Sequence, residues 1–154
     1  MQQIEIIQCD ITKLKIECIV NASNKSGLGC FTPNHPCIDN AIHKCAGPGL
    51  LEECKKLNGV PTGVAKITGA HKLPSKYIIH ITGPKKENPE TSQYSHGEDH
   101  NMLNKSYFSV LDLAELHGIK EIAFCCISTG MYGFDNRRGA QTALASINDW
   151  CNMH

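Results

Sequence analysis

Short apolar runs that are typical of strands recur along this chain of 154 residues. Residues 4–8 alternate between two faces, and the apolar run 16–20 ends at the polar Asn21, so the pattern predicts two early strands. Further strands are predicted at 64–68, 77–82 and 121–127. The last of these is almost continuously apolar, which is typical of a strand that is buried on both faces.

Segments with apolar residues at helical spacing lie between these strands. A helix is predicted from residue 35 to 46, stopped by Gly47, and Pro48 can open the next helix at 50–57. Two longer helices are predicted over 102–116 and 139–150. The polar segment 84–100 is predicted to be a mobile loop. Strands that alternate with helices in this way indicate a three-layer α/β domain with a mainly parallel sheet.

Composition excludes several classes of function. The hydrophobic share is 41% and the charged share 19%, and no apolar run approaches the roughly 20 residues of a membrane span. Fifteen basic residues balance fifteen acidic ones, so no global positive field would gather DNA or an anionic membrane. Nine cysteines are an odd number, and the first residues lack a signal-peptide pattern, so we expect reduced thiols and a cytoplasmic location.

Ligands of such sheets bind outside the carboxyl ends of the strands, which selects residues 9–12, 21–39 and 128–134. In the last segment, two glycines and two hydroxyls could cradle a diphosphate, although an ordinary strand-to-helix turn would look similar. In the first segment, Asp10 could cap its own turn or accept a hydrogen bond from an amino group such as that of adenine.

The middle segment contains Cys30, His35 and Cys37 in a loop stiffened by two prolines. These residue types are zinc ligands, and three ligands suit a catalytic ion better than a structural one. The alternative is three unligated loop residues. His43 is a candidate fourth ligand, but we favour a helix histidine with satisfied hydrogen bonds.

Two thiolates would offset the charge of a zinc ion and weaken its Lewis acidity, so orienting and polarising a substrate hydroxyl is the role that we expect for it. Asp39 begins the following helix, where the helix dipole favours the ionised carboxylate. It could act as a general base or hold a water molecule, or it could be a plain helix N-terminal carboxylate.

Five motifs in the right order resemble the macrodomain family of ADP-ribose-binding modules and hydrolases. These motifs are Asp10-Ile11-Thr12, residues 19–24 (IVNASN), residues 39–43 (DNAIH), Pro61-Thr62-Gly63 and residues 127–134 (ISTGMYGF). The resemblance covers residues 1–154 as a single macrodomain-like domain, a three-layer α/β/α fold with a mainly parallel mixed sheet. Residues 29–37 (GCFTPNHPC) replace a glycine-rich run and resemble the zinc-containing macrodomains of bacteria and other microbes.

The resemblance also assigns roles to residues. It implies that Asp10 contacts the adenine amino group, that Ile11 contributes backbone, and that Asn24 bonds the distal ribose. It implies catalytic roles for Asn24 and Asp39 near the C1″ bond, and a Zn²⁺ ion held by Cys30, His35 and Cys37. The remaining residues that it assigns to ADP-ribose binding are Asn21, Ser128, Thr129, Gly130, Met131, Tyr132, Gly133 and Phe134.

Two features depart from the family pattern. Cys9 stands where the family usually has glycine. The sequence stops at His154, without the strand and helix that normally follow the last helix of the family. The function that we expect is zinc-dependent removal of mono-ADP-ribose from protein side chains by a monomer. Its expected partners are ADP-ribose, mono-ADP-ribosylated proteins and a sirtuin-like ADP-ribosyltransferase system. The alternatives are a non-catalytic reader with a structural zinc ion and a hydrolase of small ADP-ribose esters or phosphates.

Overall fold

The structure is a computed structural model that describes residues 2–85, 96–129, 132–133 and 135–154. Its strands are β1 (Cys18–Ala22), β2 (Lys66–Gly69), β3 (Tyr77–Ile81) and β4 (Ile122–Ala123). Its helices are α1 (Ile38–Ala46), α2 (Pro48–Lys55), α3 (His96–Leu116) and α4 (Asn136–Met153), and a 3-10 turn spans Ile11–Lys13.

The four strands form one mixed sheet in the order β2-β3-β1-β4. Strand β1 runs parallel to both β3 and β4, whereas β2 is antiparallel to β3. The carboxyl ends of β1, β3 and β4 therefore meet at one edge of the sheet. This arrangement confirms the predicted mainly parallel mixed sheet.

Helices cover both faces of the sheet and complete the predicted three layers. One apolar cluster packs α1 and α2 against the sheet through Ile42 and Leu50, which are fully buried. The other packs α3 against the opposite face through Leu103 and Tyr107, and α4 lies on α3. Gly47 separates α1 from α2 at φ 82°, a left-handed conformation that ends the first helix, and Pro48 begins the second.

Two predicted strands differ from the structure. Residues 2–8 form no strand, and Ile4, Ile6 and Ile7 are exposed, because the described chain offers this segment no neighbouring strand with which to pair. The strand predicted at 121–127 is only two residues long. It lies at the edge of the described sheet and is half-buried, so the prediction that it is buried on both faces is wrong.

The predicted loop 84–100 is also altered, because α3 already begins at His96; residues 86–95 lie outside the described residues. None of the helices in the described part of the chain is long and apolar enough to cross a membrane.

Candidate functional site

The three donors of the predicted metal group lie together. One ligand atom each from Cys30, His35 and Cys37 can be chosen so that all three atoms are within 4.8 Å of one another. The Cys30 Sγ and His35 Nδ1 atoms are 3.5 Å apart. In a tetrahedral zinc site, bond lengths of about 2.3 Å to sulfur and 2.0–2.1 Å to nitrogen place such donors roughly 3.6 Å apart. The residues therefore fit a zinc ion in both donor chemistry and spacing.

Local backbone bonds hold the loop in this shape. The His35 amide donates to the Thr32 carbonyl at 3.1 Å, and the Cys37 amide donates to the His35 carbonyl at 2.9 Å. Asn40, on the first turn of α1, donates its side-chain amide to the Cys30 and Thr32 carbonyls at 3.0 and 3.1 Å. Asn40 was not singled out from the sequence. Its position three residues after Cys37, the N-cap of α1, was a signal that could have found it.

The thiol of Cys37 also caps α1, since the Asn40 backbone amide donates to its Sγ at 3.3 Å. Burial raises the pKa of the Cys37 thiol, and the neighbouring Cys30 adds to this shift. A bound divalent cation acts in the opposite direction and favours the thiolate. The ionisation of Cys37 would therefore depend on whether a cation is bound.

Asp39 lies beside this group and is buried, with 5% of its surface exposed. Its Oδ1 accepts a hydrogen bond from Asn21 Nδ2 at 2.8 Å. Burial raises the pKa of the Asp39 carboxyl, although the Asn21 bond and the neighbouring His43 oppose this shift. The expectation that the helix position keeps Asp39 ionised is therefore incomplete, because desolvation outweighs the stabilising contacts. A carboxylate with a raised pKa is a better general base.

His43 is neither a fourth member of the donor group nor a helix histidine with satisfied hydrogen bonds, the two roles considered from the sequence. It lies outside the three-donor group, and neither ring nitrogen has a hydrogen-bond partner among the described residues. Its Nε2 lies 3.5 Å from Asp39 Oδ1, and its ring packs edge-on against Phe31. Burial lowers the pKa of His43, with Asp39 opposing the shift. His43 is a buried neighbour of Asp39, and the satisfied helix histidine that we favoured is wrong.

Asn21 is fully buried, which the sequence did not indicate. Its Nδ2 group contacts Asp39 and also lies 3.1 Å from His80 Nδ1 on β3, while the described residues offer its Oδ1 no partner. The other ring nitrogen of His80 lies 2.9 Å from Thr68 Oγ1 on β2. Neither His80 nor Thr68 was singled out from the sequence, although each is a polar residue within an apolar strand, which was the available signal. Binding of ADP-ribose by Asn21 stays a prediction.

Asn24 lies in the loop after β1 and is half-buried. Its Oδ1 accepts hydrogen bonds from the Ser26 hydroxyl at 2.5 Å and the Gly27 amide at 3.1 Å. Its Nδ2 donates weakly to the Gly29 carbonyl at 3.4 Å. The side chain therefore shapes the loop that leads to the donors, and its contact with a ribose stays a prediction.

Asp10 caps the 3-10 turn, as one of the two interpretations of the sequence expected. Its Oδ1 accepts from the Thr12 amide at 3.0 Å and the Thr12 hydroxyl at 2.6 Å, and these bonds lower the pKa of the exposed Asp10 carboxyl. No described residue bonds its Oδ2, so capping is compatible with accepting from an adenine amino group. Ile11 is buried in the cluster that includes Ile42 of α1.

The loop after β4 lies at the same edge of the sheet. Ser128 has a left-handed φ of 66°, which is rare for a residue with a side chain, and its buried Oγ has no partner in the described chain. The Thr129 hydroxyl donates to the Cys126 carbonyl at 3.1 Å. Tyr132 is half-buried, and burial followed by the Asp39 charge raises the pKa of its phenol.

Tyr132 is the described residue of this loop whose phenol is influenced by the Asp39 charge. Gly133 is exposed with a φ of 71°. The predicted site residues Gly130, Met131 and Phe134 lie outside the described residues.

Comparison with known proteins identifies the family. The family model for the Macro domain matches residues 20–143. A "Protein-ADP-ribose hydrolase" of Treponema medium is 44% identical over 146 residues, which cover 92% of this chain and 54% of that protein. The "ADP-ribose glycohydrolase MACROD1" of Mus musculus is 40% identical over 154 residues, which cover 99% of this chain and 44% of that protein. The chain thus spans about half the length of these curated relatives.

Solved structures agree with this result. A Trypanosoma brucei macrodomain in complex with ADP superposes with a TM-score of 0.80 at 36% identity, over 94% of this chain and 55% of that one. A match that extends over 94% of the chain at this TM-score shows that the two chains share one fold. The chain belongs to the Macro domain family.

Proposed function

We propose that this macrodomain hydrolyses the bond between mono-ADP-ribose and a protein side chain, with a zinc ion held by Cys30, His35 and Cys37. The observation that carries the proposal is the position of these donors, beside the buried carboxylate of Asp39 at the carboxyl edge of the sheet. The names of the relatives, a protein-ADP-ribose hydrolase and an ADP-ribose glycohydrolase, support the reaction class.

Each part of the site matches one part of the ligand. The free Oδ2 of Asp10 suits the adenine amino group, and the loop that contains Ser128 and Thr129 suits the diphosphate. The Ser128 hydroxyl is buried without a partner in the described residues, which is costly unless a ligand atom satisfies it. The distal ribose then lies towards Asp39 and the metal donors.

The reaction requires a positioned water molecule and a place for its proton. When bound, the zinc ion would orient and polarise a hydroxyl of the distal ribose. Asp39 accepts a proton from water as the water oxygen bonds to C1″, and the bond from C1″ to the protein carboxylate oxygen breaks with its electron pair. Asn24 holds the ribose from the loop after β1. Orientation of this kind can supply up to about 7–11 kcal/mol of barrier lowering.

A reader without catalytic activity is the second candidate. One observation favours it: Asp39 is 5% exposed and its Oδ1 already accepts from Asn21, which restricts its access to water. Such a reader would bind ADP-ribose through Asp10 and the loop after β4, and its zinc ion would be structural.

A matched pair of cysteine variants separates these functions. Cys37→Ser removes one proposed ligand, whereas Cys45→Ser changes an exposed cysteine of α1 that lies outside the donor group. We expect the wild-type protein and Cys45→Ser to contain one zinc ion per chain and to release ADP-ribose from a glutamate-modified protein. We expect Cys37→Ser to lose the zinc, and its turnover to fall by at least about 100-fold, since metal catalysis is worth several kcal/mol.

Two controls make the outcome decisive. Thermal melting shows whether Cys37→Ser is folded, and titration with ADP-ribose before and after chelation shows whether the pocket survives metal loss. Wild-type protein that binds ADP-ribose but releases none from the substrate would be a reader. Zinc-free protein that retains full turnover would contradict the role of the metal.

A further inference from the structure

A row of buried polar side chains crosses the sheet and ends at Asp39. Thr68 on β2, His80 on β3 and Asn21 on β1 lie on the same face of three adjacent strands, and Asp39 on α1 follows them. All four residues are buried, at 2%, 1%, 0% and 5% exposure respectively. The row connects Asp39 to a histidine that no substrate can reach in this fold.

The hydrogen atoms in this row can be assigned from the donors available. Asn21 Nδ2 carries two protons, one for Asp39 Oδ1 at 2.8 Å and one for His80 Nδ1 at 3.1 Å. His80 Nδ1 must therefore be unprotonated, and the ring proton resides on Nε2. Nε2 donates to Thr68 Oγ1 at 2.9 Å, and the Thr68 hydroxyl donates to the Gly69 carbonyl at 3.0 Å.

This assignment is consistent with the contacts to Asn21 and Thr68, and the protonated Nε2 also faces the Cys54 Sγ, a weak acceptor, at 4.0 Å. A proton on His80 Nδ1 would face the amide protons of Asn21, which is a contact between two donors. An Asn21 amide turned by 180° would place its Oδ1 against the carboxylate of Asp39, which is a contact between two acceptors. The neutral ring with its proton on Nε2 therefore selects one orientation of the Asn21 amide. Burial lowers the pKa of His80 to about 3, which keeps the ring neutral in physiological conditions.

We propose that His80 is a positioning residue, which holds the Asn21 amide so that its N–H group fixes the Asp39 carboxylate at the reacting end of the pocket. The proposal rests on the proposed function of Asp39 as the base. His80 does not act on substrate. Its effect passes through a single amide group, so it should depend on the acceptor at the Nδ1 position more than on the size of the side chain.

Three substitutions of His80 test this dependence. In His80→Asn, the amide oxygen can occupy the position of Nδ1 and keep the acceptor for Asn21. In His80→Gln, the amide instead reaches the position of Nε2 near Thr68, and His80→Leu has no acceptor at either position. We expect kcat to fall by about 10- to 100-fold in His80→Gln and His80→Leu, by analogy with the loss of hydrogen-bond partners that orient metal ligands, and KM to stay close to that of the wild type. We expect His80→Asn to recover most of the lost kcat.

A purely structural role predicts a different result. In that case kcat would follow the melting temperature in all three variants, and His80→Asn would offer no recovery at equal stability. That result would overturn the proposal, as would a His80→Leu variant with wild-type kcat. Melting temperature and affinity for ADP-ribose are measured for each variant, so that loss of folding is not mistaken for loss of positioning.

A measurement without turnover separates this inference from the proposed function. In ¹⁵N-labelled wild-type protein, we expect the His80 nitrogen spectrum to show a protonated Nε2 and an unprotonated Nδ1. The side-chain amide protons of Asn21 should be protected from exchange, and His80→Leu should remove that protection. A protonated Nδ1 would overturn the inference whatever the activity. Wild-type protein with the expected spectrum and no hydrolysis would instead overturn the proposed function, together with the catalytic part of this inference.

Discussion

The burial of His80 predicts how the free energy of unfolding changes as the pH is lowered. Burial lowers the pKa of His80 from its ordinary value of 6.5 to about 3, so the unfolded chain binds a proton at this residue in a range where the folded protein does not. The contribution of His80 to the free energy of unfolding is therefore fully present above pH 6.5 and is lost as the pH falls towards 3. The loss approaches about 1.4 kcal/mol per pH unit and reaches about 2 kcal/mol at pH 5, relative to pH 7.5.

Urea denaturation at several pH values tests this prediction. The wild type and His80→Asn are compared at one zinc concentration, because acid also displaces metal from thiolate ligands in both proteins. Asn has no titratable group, so the difference between the two free energies of unfolding isolates the contribution of His80 from those of Asp39 and His43. We expect this difference to change by about 2 kcal/mol between pH 7.5 and pH 5, to the disadvantage of the wild type. A difference that is constant across this range would show that His80 has the same pKa in the folded and unfolded protein.

Two further predictions concern packing around the site. A Cβ at Gly83 would overlap Ser128 Oγ and lie 2.5 Å from Ile127 Cγ2. Gly83→Ala should therefore displace the loop after β4 and weaken ADP-ribose binding, as measured by calorimetry. Unchanged affinity would contradict this placement of Ser128. Leu50 of α2 is fully buried, and Leu50→Ala should lower the free energy of unfolding by about 2–5 kcal/mol in urea denaturation, whereas a loss below about 1 kcal/mol would show that this core is loosely packed.

Elements with local signals were predicted well from the sequence. The boundary between α1 and α2 was recognised because Gly47 and Pro48 act on their own backbone, whatever surrounds them. The strand predicted at 77–82 matches β3 almost completely, since its apolar run is buried in the interior of the sheet. The strand predicted at residues 4–8 was wrong, because a strand depends on hydrogen bonds to a neighbour that local pattern does not supply.

The two halves of the candidate site differ in the same way. Cys30, His35 and Cys37 fall within one short loop, so residue type and spacing were enough to predict the group that the structure brings together. The row from Thr68 to Asp39 contains residues from the three strands β2, β3 and β1 and from helix α1. Two of its members that contact each other, Asn21 and His80, are 59 residues apart in the chain. Nothing in either local segment indicates the other.

The amino-acid sequence was enough to predict the donor types, the break between α1 and α2 at Gly47 and Pro48, and the α/β class, because these depend on side-chain chemistry and on nearest neighbours along the chain. The assembled fold was needed to show that Asn21 faces Asp39, that burial keeps His80 neutral and that residues 2–8 form no strand. Burial and hydrogen-bond partners are properties of the assembled sheet. The ionisation and orientation of polar groups follow from them, and these are the properties on which the proposed chemistry depends.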